Sequence, residues 1–265
     1  MEAPGQFHYC GPSPAPTRIV FRPVTRNRRP PVASVSRDPH PDNLYPTTLE
    51  VTFGSHQLSL DVPQGVWNPT PHGLLLGNAL AELDFDGEEV LELGTGCGLH
   101  AVVIARQGAA SLTLTDLSEG ILDNARHNLA RCVIESPIEY RVADWIRIDG
   151  GPWDSLVTNP PFAKSDKHYY RYFIDTLILE AHELVRRGGR LIFIQSSLAD
   201  FPRSVRLMEE CGMTVKTLAE KEQEFRHYYF EDERFLEEIE KVENSYSVRD
   251  GKRYERLKVL EGTLS

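Results

Sequence analysis

Val90-Leu91-Glu92-Leu93 runs without a break into Gly94-Thr95-Gly96-Cys97-Gly98, and Leu99 to Ala105 continues in a helical pattern. This is the order expected of a buried strand, a tight turn and a helix opening from the turn, with room for a ligand above it. Glycine admits positive φ and lets a ligand approach the backbone where a Cβ would intrude.

Gly96-Cys97-Gly98-Leu99-His100-Ala101 also satisfies the dinucleotide pattern G-x-G-x-x-A. Glu92 argues against that ligand, because a carboxylate at the strand end would repel a pyrophosphate. The same carboxylate suits a cation such as S-adenosylmethionine, which carries an ammonium and a sulfonium and no phosphate.

Working outward, 265 residues with 40% hydrophobic content suit one α/β domain with additions, or two small domains. Cys10, Cys97, Cys132 and Cys211 form no C-x-x-C pair and no zinc spacing with histidine, so reduced thiols, no metal and a cytoplasmic protein are expected. Neither a signal peptide nor an apolar run near the roughly 18 residues of a membrane helix is present, so no membrane partner is expected. The net charge of −10 is uneven: six arginines against Glu2, Asp38 and Asp42 make residues 1–46 +3, leaving −13 for the rest. An acidic body argues mildly against tight, sequence-independent nucleic-acid binding.

Residues 1–46 hold ten of the eighteen prolines and little hydrophobic periodicity, which predicts a disordered Pro/Arg-rich tail. The alternative is an arm that touches an acidic partner through Arg18, Arg22, Arg26, Arg28 and Arg29. Residues 47–265 are read as the functional domain. Leu49, Val51 and Phe53, then Leu58, Leu60 and Val62, alternate with polar residues around Gly54-Ser55-His56, a β-hairpin. The loop Gly65 to Gly73, with Trp67, Asn68 and His72, is either a connection or part of a pocket wall. A helix over Leu74–Leu83 follows.

From Val90 strands and helices alternate, the pattern of a parallel sheet. Strands are expected at Val90–Leu93, Ser111–Thr115, Ile138–Ala143, Ser155–Thr158 and Arg190–Gln195. Helices are expected to Gln107, over Ser118–Arg131 with Ser118 as N-cap, over Tyr169–Arg186 with a Gly188-Gly189 C-cap, and over Phe201–Cys211. Val215–Leu218 and Leu257–Leu260 read as the last strands, with a charged helix over Asp232–Val242 between them. Asp250-Gly251 then predicts an antiparallel return.

Ligands of open α/β sheets sit outside the carboxyl ends of the strands. Four successive strand ends carry Glu92, Asp116, Asp144-Trp145 and Asn159. Asp116 lies about 20 residues beyond Gly96, where an acid accepts hydrogen bonds from ribose hydroxyls. At these residues the chain resembles the class I S-adenosylmethionine-dependent methyltransferases, over roughly Val66 to Leu260. The resemblance implies a Rossmann-like, doubly wound, mostly parallel seven-stranded α/β sheet with an antiparallel last strand, preceded by the hairpin. It implies S-adenosyl-L-methionine as cofactor, held by Glu92, Gly94, Thr95, Gly96, Gly98, Asp116, Leu117, Asp144, Trp145 and Asn159. Leu156 to Phe162, LVTNPPF, is similar to the N/D-P-P-F/Y/W motif of the amino-methyltransferases, which implies Asn159, Pro160 and Phe162 as catalytic residues. Asp144-Trp145-Ile146 is further similar to the HemK/PrmC glutamine methyltransferases, whereas NPPF is more usual in the small-domain ribosomal RNA guanine methyltransferases.

The chemistry explains the motif. An amide or exocyclic amine is a poor nucleophile because its lone pair is delocalised. The Asn159 side-chain oxygen and the Pro160 carbonyl can accept its two N–H bonds and aim the developing lone pair at the methyl carbon. The prolines hold that carbonyl and donate no N–H. Phe162 can stack on a planar group. The acceptor expected is a protein glutamine-type amide, with an RNA or DNA base amine as the alternative. A small metabolite, or a binding module without catalysis, are the remaining readings; the intact NPPF counts against the last. Lys164, Lys167, His168, Tyr169, Tyr170, Arg171 and Tyr172 would suit a nucleotide, or belong to the next helix. Phe225 to Phe230, FRHYYF, reads as a packed loop or a cover over the pocket.

Overall fold

The computed structural model describes residues 20–23, 46–161 and 171–265. A small antiparallel sheet has the order β1 (Val20–Pro23), β2 (Thr47–Phe53), β3 (His56–Val62). β2 and β3 are the hairpin expected from alternation, and Leu49, Val51, Phe53, Leu58, Leu60 and Val62 are all buried. Within the stretch read as a tail, Val20–Pro23 pairs with the Thr47–Glu50 end of β2. The remaining residues before 46 lie outside the described residues.

The main sheet comprises β4 (Glu89–Leu93), β5 (Ser111–Asp116), β6 (Ile138–Val142), β7 (Trp153–Thr158), β8 (Val185–Ser196), β9 (Met213–Glu224), β10 (Tyr246–Arg249) and β11 (Lys252–Leu264). Its order is β10-β11-β8-β7-β4-β5-β6, with β9 paired to β11. β4 to β8 are parallel, and β11 is antiparallel to β8, β9 and β10. The sheet therefore has eight strands rather than the seven expected. The addition is β10: Asp250 and Gly251, both at positive φ (51° and 75°), fold Tyr246–Arg249 back onto the start of β11, as a tight two-residue hairpin turn requires.

Period-two alternation makes the sheet two-faced. Val90, Val157, Ile192 and Ile194 pack with α1 (Pro71–Leu80) and α2 (Leu99–Arg106), beneath the small sheet. Leu91, Leu93, Leu156, Leu191 and Phe193 pack instead with α4 (Tyr172–Leu184) and Met208 of α5 (Phe201–Glu210). α3 (Glu119–Ala130), N-capped by Ser118 as expected, buries Leu129 on the first face. Its Asn128 is fully buried, exchanges hydrogen bonds with the Asp61 backbone (2.9 and 2.8 Å) and donates to the Cys97 carbonyl (2.9 Å). One side chain thus pins the hairpin to the glycine turn, and leaving those groups unpaired would cost about 1–3 kcal/mol. α6 (Glu233–Glu240) buries Phe235 and Ile239 beside β10.

Gly188-Gly189 does not cap a helix. α4 ends at Leu184, and the glycines lie inside β8, where its register against β7 slips between Trp153 and Ser155. A Cβ on Gly189 would stand 2.6 Å from the Asp154 carbonyl, so close strand approach, not helix termination, requires glycine there. No helix among the described residues is long and apolar enough to cross a membrane.

Candidate functional site

The parallel registers of β4, β5, β6 and β7 place their carboxyl ends on one edge. Side-chain and backbone bonds clip those ends together: Thr158 Oγ1 donates to the Leu93 carbonyl (2.9 Å), Thr95 N–H to the Thr115 carbonyl (2.9 Å), and Ala143 N–H to the Asp116 carbonyl (3.0 Å). The glycine turn, Asp116-Leu117, Asp144-Trp145 and Asn159-Pro160 are therefore neighbours, as the strand-end reading expects.

Asp116 holds the turn. Its Oδ2 accepts from Gly96 N–H at 2.9 Å and its Oδ1 from Leu117 N–H at 2.8 Å, so each oxygen keeps acceptor capacity for a ligand. Leu117 beside it is 68% exposed, an apolar shelf at the mouth of the edge. Gly94 and Gly96 both have positive φ, and apart from their chain neighbours nothing lies within 4 Å of where their Cβ atoms would be. Gly98 differs: its missing Cβ makes room for Leu129 and Ala125 of α3. The third glycine serves packing, and the first two border open space. Burial pushes the Cys97 thiol in the turn up to about 12, which makes it a packing group rather than a nucleophile.

Two acidic-edge expectations change in detail. Glu92 does not stand open at the strand end; it is 1% exposed. Alternation puts it on the Val90 face of β4, under the first turn of α2, where Thr95 Oγ1 donates to its Oε2 (2.8 Å) and His100 Nδ1 lies 3.2 Å from its Oε1. Trp145, at φ 58°, turns its ring to α4: its indole N–H donates to Thr176 Oγ1 at 3.1 Å, and it meets Phe173 edge to face at 5.1 Å. Asp144 is exposed at the edge.

On the other side of the turn, Asn159 is half-buried and Pro160 buried. Phe162 lies outside the described residues, as do Lys164, Lys167, His168, Tyr169 and Tyr170. Arg171 is not free for a nucleotide. Its guanidinium is 4% exposed and donates to Asp175 Oδ1 (2.7 and 3.0 Å), Ser204 Oγ (2.9 Å) and the Asp200 carbonyl (3.2 Å). The Gly65–Gly73 loop runs into α1 at Pro71, and there a Cβ on Gly73 would stand 3.7 Å from Asn159 Nδ2 and 3.7 Å from His100 Nε2. Asn68 ties this loop to β2, its Oδ1 accepting from Thr47 Oγ1 at 3.2 Å, while Trp67 is half exposed. Burial, and then the charge of Arg226, push the His72 imidazole down to about 3, so it is neutral at physiological pH. Arg226 itself stacks over Tyr228 at 4.9 Å. In the FRHYYF segment Phe225 and Tyr229 are buried with Leu198, Phe235 and Ile239, whereas Phe230 is half exposed.

Beyond β8, Ser196 Oγ donates to Glu255 Oε2, and Tyr229 O–H to Glu255 Oε1 at 3.1 Å. Burial pushes the Glu255 carboxyl up to about 7, against the opposite pull of those two donors and of Arg226. The folded chain then keeps a proton that the unfolded chain has released, so this stabilisation is complete below the ordinary value of 4.5 and lost as pH rises through about 7. Relative to Glu255→Gln, the native chain should lose roughly 3 kcal/mol between about pH 5 and pH 8. Urea unfolding of both proteins across that range measures it, and parallel curves would contradict it.

Residues 73–228 match the methyltransferase small domain family. The chain belongs to that family. The matched span of this methyltransferase small domain protein runs from Gly73 in α1 to Tyr228, enclosing the whole strand edge. The chain is 29% identical over 176 residues to a release factor glutamine methyltransferase of Chlorobaculum tepidum, covering 54% of this chain and 59% of that protein. It is 24% identical over 193 residues to a ribosomal RNA large subunit methyltransferase K/L of Colwellia psychrerythraea, covering 68% of this chain and 26% of that one. The chain thus matches less than two thirds of the length of either relative. Its fold is shared with a 16S rRNA methyltransferase of T. thermophilus solved in complex with S-adenosylmethionine and guanosine, at a TM-score of 0.54 and 19% identity over 82% of this chain and 50% of that one.

Sequence reading missed two features of this methyltransferase small domain site. Gly73 and His100 meet Asn159 and Glu92 from separate helices, and the charge of Arg226, beyond β9, acts on the His72 imidazole. The signal for His100 was present: a polar residue in the otherwise apolar first turn of α2.

Proposed function

We propose that this chain is an S-adenosylmethionine-dependent N-methyltransferase acting on a planar nitrogen, with a protein glutamine-type amide as acceptor. The observation that carries it is the clamped Asp116 carboxylate beside the open backbone of Gly94 and Gly96, with Asn159-Pro160 at the adjoining strand end. The residues fit the cofactor. Asp116 offers acceptors for ribose hydroxyls, Leu117 an apolar shelf for a base, and exposed Asp144 a negative group at the same edge, while buried Glu92 holds Thr95 of the turn from beneath. When bound, the cofactor supplies an electrophilic methyl group.

This chain's share is orientation. Asn159 approaches Gly73 through Nδ2, and its Oδ1 and the Pro160 carbonyl are the groups that can accept the two N–H bonds of an amide. Phe162, two residues beyond Pro160, is assigned to stack on the acceptor. The release factor glutamine methyltransferase likeness supports an amide acceptor.

A base amine is the second reading, favoured by the ribosomal RNA methyltransferase likeness and by Lys164 and Lys167 after Asn159. The buried ion pair of Arg171 removes one of the cations on which that reading drew.

Calorimetry tests the cofactor half. S-adenosylmethionine and its demethylated product should bind and NAD should not, and Asp116→Ala should weaken binding by about 1–3 kcal/mol. NAD binding, or unchanged affinity in the variant, would contradict it.

A further inference from the structure

We propose that His100 is a positioning residue that ties the glycine turn to the first turn of α1, so that occupancy of the turn is felt on the Asn159 side; this rests on the cofactor reading above. His100 is 7% exposed, and both ring nitrogens are engaged. Nε2 lies 2.9 Å from the Gly73 carbonyl, 27 residues away in sequence. That carbonyl can only accept, so Nε2 carries a hydrogen. Nδ1 lies 3.2 Å from Glu92 Oε1 in a buried space, where two bare lone pairs would repel, so a hydrogen lies between them as well.

The contacts form an unbroken path. Thr95 sits in the turn and donates to Glu92; Glu92 meets His100; His100 holds Gly73; and Gly73 abuts Asn159. An aliphatic residue at position 100 would pack as well in α2, but it would leave the Glu92 carboxylate buried with Thr95 as its remaining side-chain partner. The planar ring fixes the distance from Glu92 to the start of α1, which a flexible side chain would not. A shift of the turn by a bound cation therefore moves Glu92, the ring and the Gly73 carbonyl together.

Hydrogen exchange on the full chain reads this without an acceptor. Saturating S-adenosylmethionine should slow exchange in the native protein both at the 94–98 turn and at the start of α1, residues 72–76, by about 5-fold or more. In His100→Asn, the amide can donate to Glu92 from the place of Nδ1 but does not reach Gly73. That variant should bind S-adenosylmethionine within about 5-fold of native affinity and keep protection of the turn, but lose protection of α1. Equal protection of α1 in the variant would overturn the proposal. Absence of protection at the turn in the native chain would instead count against the cofactor reading, and the inference would fall with it. Should His100→Asn not fold, nitrogen-15 spectra of the native imidazole decide. A protonated Nε2, and an Nδ1 signal that moves on adding S-adenosylmethionine, are expected. An unprotonated Nε2 or an unmoved Nδ1 overturns the tie.

Discussion

Replacing Asn159 by alanine should cut turnover by roughly 10²–10³ while leaving affinity for S-adenosylmethionine nearly unchanged, as for a lost transition-state hydrogen bond in a preorganised polar site. The side chain stands at the end of β7, with its strand fixed to β4 by the Thr158 hydroxyl. Its removal therefore deletes an acceptor without moving the edge. Asn159→Asp is the sharper comparison, since it keeps an oxygen acceptor and adds charge; partial activity should survive. Steady-state kinetics beside calorimetry separate the two effects. An alanine variant with native turnover would reduce Asn159-Pro160-Pro161 to a strand terminator.

Asp175→Ala should cost about 3–5 kcal/mol of stability, the toll of leaving a buried guanidinium without its carboxylate. Asp175 receives two bonds from Arg171 through Oδ1 and one from Arg203 through Oδ2 at 2.7 Å, and both Arg171 and Asp175 are almost fully buried. At about 2–4 °C per kcal/mol for a chain of this size, the melting temperature should fall by roughly 6–20 °C. The paired change Arg171→Met with Asp175→Leu should lose far less, because it removes both charges together. Thermal unfolding of the two variants tests this. An alanine variant within about 1 kcal/mol of native would show that the pair contributes as little as an exposed one.

The legible parts of the chain were those written in local pattern. Val90–Gly98 announced a strand, a turn and a helix; alternation at Leu49–Val62 announced the hairpin; and acids at successive strand ends announced the edge. What escaped depends on partners distant in sequence. The glycines at 188 and 189 look the same whether they end a helix or admit the Asp154 carbonyl, and only the register of β7 against β8 decides. Arg171 reads as one of a basic run until Asp175 and Ser204 are seen to enclose it. Glu92 reads as an open acid until the packing of α2 sets His100 above it. β10 needed the length of β11, whose 13 residues outlast its pairing with β8.

Amide methylation is measured most directly by following the methyl group itself. Extract from cells lacking the protein is incubated with methyl-labelled S-adenosylmethionine and the full chain, and the label is resolved into protein, RNA, DNA and small molecules. Label is expected in protein, on a glutamine-type amide nitrogen, abolished by Asn159→Ala. Label confined to RNA or DNA would overturn the amide acceptor in favour of a base amine. No Asn159-dependent label in any fraction would contradict methyl transfer by this site.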